Sequence, residues 1–118
     1  MDKPQTQSLL EFRIVSGTTV ISFLDSKALM EEGKVQACKT AFLNFMENMG
    51  HRQFHLCLNN APTLCSSALA MLVLFRQKLA NQGGKMTMSG VSKEVMEVFQ
   101  VTKLDSFFTM AEEPKAPS

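Results

Sequence analysis

The chain has 118 residues, 45% of them hydrophobic and 19% charged, with 12 Lys+Arg against 11 Asp+Glu for a formal charge of +1. That is one domain of ordinary size with enough apolar residues to bury a core, and its near-neutral balance excludes broad nucleic-acid binding, which needs a basic surface to displace counterions. Three widely spaced cysteines, Cys38, Cys57 and Cys65, with no CxxC pair, exclude a disulfide framework and indicate reduced thiols in a cytoplasmic protein.

The polar start, MDKPQTQSLLEF, lacks the apolar run of a signal peptide, and residues 1–8 are expected to be a loose end. The longest apolar run, ALAMLVLF, is far short of the ~20 residues a membrane span needs. LEFRIV (Leu10 to Val15) alternates apolar and polar residues, and TTVISFL (Thr18 to Leu24) is rich in β-branched residues. With Ser16-Gly17 between them they predict a β-hairpin. After a loop over 25–33, Val35, Cys38, Phe42, Phe45 and Met49 recur at intervals of three and four. They predict an amphipathic helix from about Lys34 to Met49, ended by Gly50.

FHLCLN (Phe54 to Asn59) predicts a strand with Phe54, Leu56 and Leu58 on one face and His55 and Cys57 on the other, the exposed one. From Ser66, the residues Leu69, Leu72, Val73, Arg76 and Leu79 predict a second helix, stopped at Gly83-Gly84. KMTMSG (Lys85 to Gly90) predicts a strand with Met86 and Met88 on one face. Ser92 is placed to cap a third helix, SKEVMEVFQ, with Val91 and Met96 as a hydrophobic staple across its first turn and Val95, Val98 and Phe99 buried. Leu104, Phe107 and Phe108 close the domain as an apolar cluster with the character of a short edge strand, and 112–118 is expected to be a flexible tail. The order β-β-α-β-α-β-α-(β) predicts an α/β domain over 9–111. Its mixed sheet of four to five strands carries the hairpin at its antiparallel edge and helices mainly on one face.

Ser66 and Ser67 precede the second helix, where a serine hydroxyl commonly caps a backbone N–H. The surrounding run has a second meaning. CSSALAML (Cys65 to Leu72) resembles the Asp-Ser-Ser/Thr-Gly-Leu-Gly-x-Leu segment of the STAS domain, the module of anti-sigma factor antagonists. The likeness continues through FRQKLANQGGKMTMSGVSKEVMEVFQVTKLDSFF to the ending Leu104-Asp105-Ser106-Phe107-Phe108. It spans Thr18 to Phe108, about three quarters of the chain. Cys65 stands where the family has its Asp, and Ala68 and Ala70 stand for its two glycines. The acid the family carries after its second strand leaves Asp25, Glu31 and Met30 as candidate positions.

The resemblance implies a STAS-like fold and a non-enzymatic regulator of transcription that works by protein–protein interaction. Ser66, or less directly Ser67, would be phosphorylated by a partner anti-sigma factor that is also a serine kinase of the histidine-kinase-like ATPase type. A serine phosphatase would reverse the modification. ATP and Mg²⁺ would belong to the partner, so the chain itself carries no cofactor and no metal. Asp25, Ser26, Lys27, Cys65, Leu69 and Met71 would form the partner surface, and the family leaves room for a homodimer.

Three alternatives stand beside this. An unphosphorylated STAS-like scaffold or oligomerisation domain keeps the fold without the switch. A small cysteine-dependent enzyme would use Cys65 with His51 or His55 as base. A zinc site would need His51, His55, Cys57 and Cys65 to converge, without a recognisable knuckle spacing. Gly83-Gly84-Lys85 is too short for a phosphate-binding loop of the GxxxxGK[ST] type.

Overall fold

A computed structural model of the chain describes residues 5–6, 10–49 and 53–112. The expected loose N-terminal end and the C-terminal tail lie largely outside those residues, as do Gly50 and His51. The described elements are β1 (Gln5–Thr6), β2 (Leu10–Val15), β3 (Thr18–Phe23), α1 (Glu32–Met49), β4 (Gln53–Cys57), α2 (Ser66–Asn81), β5 (Lys85–Ser89), α3 (Lys93–Val101) and β6 (Thr109–Met110).

The hairpin forms where the sequence places it. Ser16 (φ 51°) and Gly17 (φ 83°) both take positive φ, the backbone of a two-residue turn whose twist matches that of the strands it joins. β3 then pairs parallel with β4, and β4 with β5, through α1 and α2 as crossovers. The sheet runs in sequence order, β1-β2-β3-β4-β5-β6, with antiparallel pairing only at the hairpin end.

Two edge elements differ from expectation. Gln5–Thr6, inside the stretch expected to be loose, pairs antiparallel with Phe12 and Glu11 because the hairpin leaves the edge of β2 open. The last strand is Thr109–Met110 rather than Phe107-Phe108. The two phenylalanines pack as a turn, Phe108 against Phe99 (4.9 Å between centroids), and the chain extends only after them.

Alternation along the strands separates two faces. Leu10, Phe12, Ile21, Phe23, Phe54, Leu56, Met86 and Met88 join the buried residues of all three helices in one core. In α1 these are Val35, Cys38, Phe42 and Met46, and in α3 Val95 and Phe99. Phe12 stacks on Phe45 (4.4 Å), and Phe42 meets Phe75 (4.2 Å), so aromatic contacts join the hairpin, α1 and α2. The apolar face of α2 is Ala68, Met71, Leu72, Phe75 and Leu79, turned from the expected stripe so that Leu69, Val73 and Arg76 flank it.

The other sheet face is less open than its pattern suggests. Val15, Val20 and Cys57 form a second buried cluster there. His55, expected at an exposed face, is fully buried: its Nδ1 lies 2.7 Å from Thr87 Oγ1 and its Nε2 2.8 Å from Ser89 Oγ. Flanking hydroxyls on the neighbouring strand satisfy both ring nitrogens, which makes burial of the ring tolerable. Among the described residues, no helix is long and apolar enough to cross a membrane.

Candidate functional site

The carboxyl ends of β3, β4 and β5 point to one rim of the sheet, and the loops that leave them surround the start of α2. In parallel α/β sheets this rim is where strands end and helices begin, so backbone groups and loop side chains converge there.

Ser66 is not the cap of α2. The N-cap is Cys65, with extended backbone (φ −95°, ψ 173°) and no side-chain capping bond, and its carbonyl accepts from Leu69 N at 3.0 Å. Ser66 is therefore the first residue inside the helix. It is exposed, and its hydroxyl has no partner among the described residues, while Ser67 behind it is half-buried. No acidic side chain occupies the first turn, so the partial positive charge of the helix end is not neutralised from within α2.

The β3–α1 loop is fastened to this helix start. Cys65 N donates to the carbonyl of Leu29 at 2.7 Å, and Ala28 and Leu29 are buried in the core beneath. Within the loop, Asp25 Oδ1 accepts from Lys27 N at 2.8 Å, closing an Asx turn, and Ala28 N donates to the Asp25 carbonyl at 2.9 Å. Lys34 Nζ lies 2.8 Å from Asp25 Oδ2 and 3.3 Å from Glu31 Oε1. The Lys34 hydrogen bond, helped by the Lys27 N–H, holds the Asp25 carboxyl below its ordinary 3.8, and in return holds the Lys34 ammonium above its ordinary 10.5. Ser26 and Lys27 are exposed at the tip.

The neighbouring loops are stitched in as well. Asn60 Nδ2 donates to the carbonyls of Phe23 (3.4 Å) and Leu24 (3.2 Å), and Ser92 Oγ donates to the Pro62 carbonyl (2.7 Å). Gly90, at φ +67°, lies so close to Asn59 that a Cβ there would be 2.9 Å from the Asn59 backbone nitrogen and closer still to its side chain. The three loops and the start of α2 thus form one platform.

Of the expected partner residues, the structure brings Asp25, Ser26, Lys27, Cys65 and Leu69 to this rim, beside the expected phosphoacceptor Ser66. Met71 is a correction: it is 3% exposed and belongs to the core, because one turn into α2 its position has rotated to face the sheet. Two exposed apolar residues outside that expected set also lie at the rim. Leu24 (45% exposed) follows β3 directly, and Met30 (43% exposed) adjoins the Leu29 carbonyl that binds Cys65. Their signal was present as apolar residues inside a segment otherwise polar enough to be a loop, but exposure is decided by how that loop docks.

The pairing of Cys65 with His55 does not form. Cys65 packs beside the helix-side core, whereas His55 lies on the other face of β4 between Thr87 and Ser89. The other proposed base, His51, lies outside the described residues. Among the described residues, no three His, Cys, Asp or Glu side chains gather where they could hold a metal ion.

The STAS domain family matches residues 4–116. Solved structures share the fold at low identity. A STAS-domain anti-sigma-factor antagonist protein from Planctomyces limnophilus superposes with a TM-score of 0.77 at 24% identity, over 88% of this chain and 90% of that one. The unphosphorylated form of the anti-sigma factor antagonist SpoIIAA gives 0.70 at 14% over 96% and 90%. A serine-to-glutamate variant of RsbS from Moorella thermoacetica gives 0.71 at 14% over 90% and 88%. No curated protein matches the chain. With its described sheet, three helices and serine-bearing second helix in STAS order, the chain belongs to the STAS domain family.

Proposed function

We propose that this STAS domain acts as a cytoplasmic regulator of the anti-sigma factor antagonist kind, binding a serine kinase that doubles as an anti-sigma factor, and that phosphorylation of Ser66 ends the interaction. The observation that carries the reading is Ser66 itself: an exposed residue at the first helical position of α2, with no side-chain bond among the described residues and no acid in the helix's first turn. A phosphate there adds about −1.5 to −2 charge beside backbone N–H groups that favour it. The fold would tolerate the group, while a partner packed on Leu24, Met30 and Leu69 would meet repulsion and a desolvation cost. Ser67 is half-buried and is the weaker acceptor.

The test uses the kinase-type ATPase encoded nearest this chain's gene. Incubation with ATP should add one phosphate to the intact mass, Ser66→Ala should prevent it, and the phosphorylated form should lose binding in calorimetry. A second reading, an unphosphorylated scaffold, draws on the replacement of the family's Asp by Cys65, whose side chain makes no capping bond. It predicts binding that persists with no mass change.

A further inference from the structure

Leu24 lies beyond the last rung of the sheet. The ladder with β2 ends at Leu10 opposite Phe23, and the ladder with β4 ends at Cys57 opposite Ser22, so strand pairing does not set the course of the chain at Leu24. Its side chain is 45% exposed, so core packing does not fix it either. On its far side the chain is held by the Asx turn of Asp25. On its near side the contact comes from the β4–α2 loop: Asn60 Nδ2 reaches the Leu24 carbonyl at 3.2 Å and the Phe23 carbonyl at 3.4 Å. Among the described residues, the Leu24 carbonyl meets no other donor within hydrogen-bond distance. Asn60 supplies the rung that the sheet lacks.

The backbone that carries Asn60 is itself held. Ala61 N donates to the Leu58 carbonyl at 3.0 Å, closing the turn that contains Asn59 and Asn60, and Leu58 N donates to the Ser89 carbonyl at 2.9 Å, tying that turn to β5. Both groups that Asn60 meets are carbonyls, so only a donor serves there. An amide NH₂ has two hydrogens for two acceptors, whereas a carboxylate would set oxygen against oxygen. Asn60 is exposed and its φ is not positive, so a substitution there neither opens the core nor strains the backbone.

We infer that Asn60 is a positioning residue for the partner surface: it holds Leu24 in the orientation that the kinase-type partner meets, and it acts on binding through Leu24, an assignment that rests on the function proposed above. Relaxation of ¹⁵N in the whole chain, without partner, reads the first half of the inference. Asn60→Ala and Asn60→Asp should each lower the Leu24 order parameter from the rigid-backbone value of about 0.85 toward about 0.6, with β3 and β4 unchanged. Calorimetry with the same kinase-type ATPase reads the second half. Asn60→Ala should weaken binding about fivefold and Asn60→Asp more than that. Leu24→Ala should weaken it about tenfold.

Added to Leu24→Ala, Asn60→Ala should cost nothing further, because the side chain it positions is gone. A merely structural Asn60 would instead cost the same in both backgrounds. That result, or a Leu24 order parameter unchanged in both Asn60 variants, would overturn the inference. Loosening of Leu24 in the Asn60 variants, together with no binding of the ATPase by the unsubstituted chain, would sink the proposed function and leave the positioning of Leu24 standing.

Discussion

The starts of α2 and α3 are both marked by serines, and they use them in opposite ways. Ser92 is the N-cap of α3: its Oγ accepts from Val95 N at 3.1 Å and donates to the Pro62 carbonyl at 2.7 Å. Val91 and Met96, on either side of that cap, both pack against the core. At α2 the cap position has passed to Cys65, and Ser66 sits one residue further in, exposed and without a bond among the described residues. A hydroxyl engaged twice is structural. A hydroxyl without a bond among the described residues, on the same rim of the same sheet, is available for chemistry. Serine content alone does not distinguish the two, and a single residue of helix register does.

The platform beneath both helix starts should be the most sensitive part of the comparison. Gly90→Ala combines positive φ with contact against the Asn59 backbone and should lower stability by about 3 kcal/mol in urea unfolding. Retention of full stability would mean that the β4–α2 and β5–α3 loops are not packed as described. Ser92→Ala should come next, at about 1 kcal/mol for the lost cap. Ser66→Ala should change stability by less than about 0.5 kcal/mol, since the side chain leaves no orphaned partner. If the two alanine variants cost the same, the contrast between the helix starts collapses.

The Asp25–Lys34 pair supplies a titration that bears on the loop beside α2. Asp25 is held below 3.8 in the folded chain, so its contribution is present above that value and is lost as pH falls through the lowered folded value. Lys34 is held above 10.5, so its contribution is present below that value and is lost as pH rises through the raised one. Amide exchange of Ala28 and Leu29 should therefore be flat through neutral pH once corrected for intrinsic rates. Protection should fall at the acid end, and Lys34→Met should shrink that acid step, leaving the part due to the Lys27 N–H.

The smallest effect concerns the thiols. Cys65 is half-buried, while Cys38 is buried and its thiol is pushed up to about 11, mainly by that burial. Iodoacetamide at mildly alkaline pH should alkylate Cys65 well before Cys38, as read by peptide mass. Equal rates would mean that α1 opens readily from the core.

Most of the architecture was legible because it rests on periodicity. The alternation in LEFRIV, the three-and-four spacing from Val35 to Phe45, and the Ser92 cap each depend on residues close together in the chain. The parallel crossovers and the antiparallel hairpin edge followed from the element order, and the serine-bearing segment pointed to the family. Less was legible wherever burial depends on distant segments. Met71 read as a partner contact because it lies near Ser66 in sequence, yet the helical twist between the two residues carries it into the core. His55 read as exposed because the alternation of β4 places it opposite the helices, yet Thr87 and Ser89 on the adjacent strand meet both of its nitrogens.

Local chemistry thus specified the helices, the strands and their succession, since hydrophobic period, turn residues and caps act over a few positions. Assembly settled the rest: which residue of the Cys65-Ser66 pair caps α2, and which apolar side chains stay in water beside it. Those outcomes depend on hydrogen bonds and packing between segments far apart in the chain, such as Leu29 to Cys65, and no local pattern encodes them.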